Sequence, residues 1–229
     1  MTMMQIGDFP AYVAKPKGTP KAAIIVIQEI FGVNPGIRGK CDHWAREGYL
    51  AVAPDLFWRT RPGIELDPDI EAELNQAFGY FQAYDANDGV ADIEVTIKAI
   101  HSGFDGYPPI TKVGCVGYCL GGKLAYMAAC RTDISASVGY YGVMIDQMLG
   151  ESHAIAHPLM LHIPTADHFV GAEAQAAIHE GLDNHPKVTL HDYAGLDHGF
   201  AAEMGTRRHE GGARFADART TDFFANSLR

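Results

Sequence analysis

Apolar and polar residues fall in blocks along this chain, and the period of each block predicts its local structure. Residues 21–30 contain AAIIVI, a β-branched run with no polar face, as expected of a strand buried on both sides of a parallel sheet. Residues 36–47 read as a short helix that Gly48 ends, and YLAVAP at 49–54 reads as the next strand. A connection rich in Pro and Gly covers 62–68. Two helical blocks follow at 70–84 and 89–102, the second with Val90, Ile93, Ile97 and Ile100 on one stripe. Strands are expected at 112–117, 136–141, 159–163 and 188–193, and helices at 120–131 and 172–182. The tail from about 208 to 228 reads as a helix with Phe215, Phe223 and Phe224 as its apolar face. Strands alternating with helices predict an α/β fold with a mainly parallel sheet. With no repeat or long linker, residues 1–229 are expected to form a single domain.

Composition narrows the function. Hydrophobic residues make up 47% of 229 residues, enough for a full core, and the net charge is −10. An acidic chain without a basic tract is unsuited to nucleic acid, and the Arg207, Arg208 pair is too short to be one. The most apolar run, 22–27, is far too short to span a membrane, and the first ten residues carry no signal-peptide pattern. Cys41, Cys115, Cys119 and Cys130 form neither a disulfide framework nor a zinc pattern, so reduced thiols, a cytoplasmic location and no metal or cofactor are expected. No long amphipathic interface helix stands out, which makes a monomer the default.

The chemistry concentrates at Gly117-Tyr118-Cys119-Leu120-Gly121. This is the glycine–x–nucleophile–x–glycine spacing of a nucleophile elbow, with Cys in place of Ser, between an expected strand and an expected helix. Such a turn strains the backbone at the nucleophile and presents its side chain above the sheet edge. The other reading is an inert small hydrophobe in a tight turn. Cys115 and Cys130 lack the flanking glycines and read as core. Asp167 follows the strand LMLHIP, and His198 follows VTLHDY in a glycine-rich loop. Nucleophile, acid and histidine thus come in the chain order of α/β-hydrolases, each past its own strand end. His198 would act as general base and Asp167 would fix its tautomer. His168 and Asp197 are the neighbours easily mistaken for them; His162 reads as a strand residue, and His179, His185 and His209 as surface positions. The backbone N–H groups of Ile30 and Leu120 are the expected oxyanion donors. For Glu29 two readings stay open, a residue of the site or a charge leaving a strand toward water.

With these residues in view, the chain resembles the dienelactone hydrolase family, the carboxymethylenebutenolidases. The resemblance lies in QEIFGVNPGIR at 28–38, GYLAVAPDLF at 48–57, GCVGYCLGGKLA at 114–125, VGYYGV at 138–143, DHFV at 167–170 and HGF at 198–200. It implies an α/β-hydrolase fold, with an eight-stranded sheet, helices on both faces and no large cap. It implies a Cys119, His198, Asp167 triad that hydrolyses a small ester or lactone through a thioester. It gives Glu29 a role: contact with the resting thiol, ended when substrate displaces the carboxylate. In the family two arginines hold a substrate carboxylate, and here Leu74 and Ala202 stand at those places. Arg207 or Arg208 from one side, or Arg59 or Arg61 from the other, are the substitutes to look for; without one, a less acidic ester or thioester is the expected substrate. Phe31, Phe78, Phe81 and Tyr141 are expected to line the pocket, Phe78 and Phe81 being equally readable as core. A serine esterase is excluded by the absence of GxSxG. A non-catalytic binding protein would predict a missing triad member, and a thiol-redox protein would need Cys115 within reach of Cys119.

Overall fold

The computed structural model describes residues 2–229. Its centre is one eight-stranded sheet in the order β1-β2-β4-β3-β5-β6-β7-β8. The strands are β1 (Thr2–Ile6), β2 (Phe9–Ala14), β3 (Ala23–Ile27), β4 (Leu50–Pro54), β5 (Val113–Tyr118), β6 (Ala136–Tyr140), β7 (Leu159–Pro164) and β8 (Val188–Tyr193). β1 and β2 pair antiparallel, as do β2 and β4; every pair from β4 onward is parallel. The helices are α1 (Pro35–Arg46), α2 (Glu71–Ala83), α3 (Ala86–His101), α4 (Leu120–Arg131), α5 (Ala172–Leu182) and α6 (Glu210–Ser227). A 3₁₀ segment runs from Ile145 to Ala154.

The all-apolar run AIIVI becomes β3, fully buried between β4 and β5. Its side chains alternate between the two faces. Ile25 and Ile27 pack with α3 and α4, while Ile24 and Val26 pack with α1 and α6. Burying each isoleucine contributes about 1.5–3 kcal/mol. α1 starts on the Asn34 cap, whose side chain accepts from the Ile37 N–H at 3.1 Å, and it stops before Gly48, which takes φ 93°.

The hydrophobic pattern located six of the eight strands and all six helices, and the family resemblance supplied the count of eight. β1 and β2 escaped the pattern because MMQI and FPAYVA are short and one contains proline. Gly7 at φ 55° closes the two-residue turn that aligns Ile6 with Phe9, and Gly-Asp between two apolar pairs was the available signal. The expected apolar face of the last helix needs correction at Phe215. α6 buries Ala213, Ala216, Thr220 and Phe224 instead, and Phe215 is 56% exposed beneath the Arg219 guanidinium. α2 fully buries only Ala77, because Leu74, Phe78 and Phe81 line an open cleft at the edge of the core. Among the described residues no helix is long and apolar enough to cross a membrane.

Candidate active site

β5 delivers Cys119 into a backbone conformation of φ 56°, ψ −113°, outside the regions that ordinary L-residues occupy. The turn is held by the Cys119 N–H donating to the Tyr140 carbonyl at 3.1 Å, and by Gly122 and Lys123 donating to the Cys119 carbonyl. The flanking glycines are required by contact. A Cβ at Gly117 would collide with the Gly121 carbonyl, and one at Gly121 would lie 2.7 Å from the Gln28 carbonyl oxygen. Leu120 opens α4, and neither its N–H nor that of Ile30 finds an acceptor among the described residues. Both remain free to bind an anion, and the helix dipole adds to this at Leu120. The Ile30 loop is pinned by buried Gln28, which accepts from the Leu56 N–H at 3.1 Å and donates to the Glu29 carbonyl at 3.2 Å.

Asp167 and His198 meet although they come from the ends of different strands. His198 Nδ1 lies 2.9 Å from Asp167 Oδ2, and both residues are 5% exposed. Asp167 Oδ1 also accepts from the N–H groups of Phe169 and Val170, which fixes the carboxylate. With Asp167 accepting at Nδ1, the proton sits there and Nε2 is left for another partner. That Nε2 is buried without a hydrogen bond among the described residues. Burial opposes charge on the imidazole, but the neighbouring Cys119 sulfur and the bond to Asp167 override it, and the His198 pKa is pushed up to about 10. Edge-on contacts from Tyr141 at 4.9 Å and Phe169 at 4.8 Å hold the ring in place.

The neighbouring His168 and Asp197 are engaged with each other at 2.7 Å near the surface. Burial pushes the Asp197 pKa up, but His168 and two backbone N–H groups outweigh it and bring the carboxyl down to about 2. With Asp167 these two gather donor atoms within 4.8 Å of one another, a grouping able to hold a metal ion. Each is already satisfied by hydrogen bonds. The other cysteine–histidine combination is remote from the cleft. Cys115 is buried in β5 against the Ser137 hydroxyl, and His162 is buried between Tyr193 and Thr220, where desolvation drives its pKa well down.

Cys119, His198 and Glu29 open onto a cleft of about 680 Å³ with mostly apolar walls. Phe31, Phe78 and Phe81 line it, together with Ile30. Tyr141 does not: it is 2% exposed and sits behind His198, because its strained backbone, φ 39°, turns the ring inward. Phe169, Val143, Pro68 and Met204 complete the wall and were missed in the sequence; the aromatic two residues after Asp167 was the one available cue. Leu74 and Ala202 both face the cleft. Of the four arginines considered as substitutes, Arg207 alone lines it. Arg59 is clamped by Asp92 at 2.6 and 3.0 Å, and Arg208 by Glu203 and Glu210. Glu29 is half-buried, and loss of water raises its carboxyl pKa against the pull of His198, Lys40, Tyr141 and Arg207.

A mainly parallel sheet with a strained strand–turn–helix at the end of its central β5 defines an α/β-hydrolase. The chain matches the dienelactone hydrolase family over residues 9–228, and it belongs to that family. It is 40% identical to a putative carboxymethylenebutenolidase of Azospirillum brasilense, over 97% of this chain and 95% of that protein. It is 38% identical to the carboxymethylenebutenolidase of Pseudomonas putida, over 95% and 91%. The solved structure of a putative dienelactone hydrolase from Klebsiella pneumoniae superposes with a TM-score of 0.81 at 26% identity, covering 95% of this chain and 92% of that one.

Proposed function

We propose that this protein hydrolyses a small ester or lactone with Cys119 as nucleophile. The observation that carries the proposal is the buried Asp167–His198 pair, whose histidine lines the same cleft as the strained Cys119. The Cys119 thiolate attacks the substrate carbonyl, and the oxyanion is held by the N–H groups of Ile30 and Leu120. Each such donor contributes about 3–4 kcal/mol to lowering the barrier. Collapse of the tetrahedral intermediate breaks the C–O bond. The leaving alkoxide takes the proton from the His198 imidazolium, leaving a thioester on Cys119. His198, now neutral, removes a proton from water, which attacks the thioester. The acid departs and the Cys119 thiolate and His198 imidazolium are regenerated. Asp167 keeps the imidazole in the productive tautomer throughout. Glu29 lines the same cleft, and its carboxylate opposes a thiolate there by like charge, a brake on an empty site.

The apolar Leu74 and Ala202 favour a substrate less acidic than a dienelactone, with Arg207 as the single cation able to meet a carboxylate. The test is hydrolysis of a dienelactone, and of an uncharged lactone or aryl ester beside it, by wild type and Cys119→Ala. Turnover of either compound by wild type alone supports the reading. Equal activity in the two proteins removes Cys119 from the mechanism, and inactivity of both across the panel favours a binding protein on the same fold.

A further inference from the structure

The loop 200–209 follows His198 and brings Arg207 to the cleft wall. Its base is closed by the His209 N–H, which donates to the Phe200 carbonyl at 2.9 Å. Its far end is tied to a different loop. The N–H and the hydroxyl of Thr206 both donate to Asp69 Oδ1, at 3.3 and 3.1 Å. Beside this tether Gly205 turns at φ 87° against Pro68, where an added Cβ would lie 2.7 Å from Pro68 Cγ and 3.2 Å from the same Asp69 oxygen. Asp69 is itself held. Its N–H donates to Asp67 Oδ1 at 2.9 Å, and the Asp67 N–H donates to Glu73 Oε2 at 2.6 Å in the first turn of α2. The tether therefore joins the loop after β8 to the helix that supplies Leu74, Phe78 and Phe81 to the cleft.

Arg207 is the next residue after the tether. It is exposed, and a long exposed side chain spreads over many rotamers unless its surroundings confine it. Here they do. Its stem runs along Gly199, where an added Cβ would lie 3.2 Å from Arg207 Cδ, and its guanidinium stands over the Phe169 ring. Gly199 directly follows His198, and Phe169 packs edge-on against the His198 ring at 4.8 Å, so the guanidinium is confined beside His198. Both contacts depend on the backbone at 207 staying where the tether puts it. We propose that Asp69 and Thr206 are positioning residues for substrate selection: their tether keeps Arg207 aimed into the cleft, where it meets the carboxylate of an anionic ester or lactone. The inference rests on the reading of Arg207 as the cation that receives a substrate carboxylate. Asp69 acts through Thr206 as a hydrogen-bond acceptor, and its charge is not what the substrate senses.

The experiment takes kcat/KM for a carboxylate-bearing lactone as a ratio to that for an uncharged aryl ester. Asp69→Ala removes the acceptor, and Thr206→Val removes the hydroxyl at nearly constant shape. Each lowers the ratio about fivefold, the scale of ordering one long side chain on binding, through a higher KM for the lactone rather than a lower kcat. Asp69→Asn keeps an acceptor oxygen without the charge, Thr206→Ser keeps the hydroxyl, and both hold the ratio near wild type. In the Arg207→Gln background Asp69→Ala changes the ratio no further. Thermal unfolding confirms that each variant is folded. The proposal is overturned by an unchanged ratio in both Asp69→Ala and Thr206→Val, whether or not overall activity falls, or by an equal further fall in the Arg207→Gln background. A loss in Asp69→Asn as large as in Asp69→Ala overturns it as well, since charge and not the tether is then at work. If Arg207→Gln alone leaves the ratio unchanged, or wild type accepts no carboxylate-bearing lactone, the underlying reading of Arg207 fails and the tether with it. A lowered ratio in Arg207→Gln with none in Asp69→Ala removes the tether alone.

Discussion

His198 Nδ1 lies 2.9 Å from Asp167 Oδ2 in a buried pair, while their chain neighbours, Asp197 before His198 and His168 after Asp167, form a second pair of 2.7 Å near the surface. Two His–Asp pairs thus come from the same two loops, with their partners exchanged. Only the buried one reaches the cleft, and burial is what makes its proton worth controlling.

This separates two isosteric substitutions. Asp167→Asn frees the imidazole to take the wrong tautomer and lowers kcat by about 10³–10⁴-fold. Asp197→Asn loosens an exposed pair and lowers kcat by no more than about threefold, on the scale of surface ion pairs. Steady-state kinetics on one ester, with circular dichroism to confirm folding, compares them.

The elbow glycines are steric requirements. Gly121→Ala places a methyl group against the carbonyls of Ile27 and Gln28, in backbone that also carries the oxyanion loop. The expected cost is about 3 kcal/mol or more, read as a fall in the urea midpoint, with activity lost in whatever fraction remains folded. Gly39→Ala, where no atom lies within 4 Å of the added Cβ, leaves the midpoint unchanged or raises it.

Much of this site can be read in the sequence because its chemistry sits at strand ends. GYCLG fixes the elbow, and Asp167 and His198 follow once the strands LMLHIP and VTLHDY are recognised. What could not be read is what depends on side-chain direction. Tyr141 looks like a pocket aromatic but is turned behind His198 by a positive φ that no residue type announces. Phe215 fits the spacing of an apolar stripe, yet small Ala213 and Ala216 let α6 approach the sheet closely on a face offset from it. Arg207 could not be separated from Arg208 until the loop showed one facing the cleft and the other facing Glu203 and Glu210.

The raised His198 pKa predicts a pH signature. Its charged form is favoured by folding, so this contribution to stability is full below the unfolded pKa of about 6.5 and is lost as pH rises through about 10. NMR titration of the His198 ring follows it directly. In Cys119→Ala the principal favourable charge is removed, and the midpoint falls toward the ordinary histidine value. An unchanged midpoint means the sulfur does not face the imidazole.

Arg207 has no ion-pair partner among the described residues, and its guanidinium lies 5.8 Å from the centroid of the Phe169 ring at the cleft wall. Arg207→Gln reduces kcat/KM for a carboxylate-bearing lactone about tenfold or more and leaves an uncharged aryl ester within about twofold, the scale of a charge-assisted hydrogen bond. The ratio of the two kcat/KM values is the quantity to compare.

The central claim is covalent attack by Cys119, and the most direct measurement is the mass of the enzyme during turnover. An ester is mixed with wild type, quenched in acid within the first turnovers, digested and weighed. The account predicts an added acyl group on the peptide carrying Cys119, lost again on standing at neutral pH and absent from Cys119→Ala. Turnover with no acyl group on that peptide, or with the group on another residue, contradicts it.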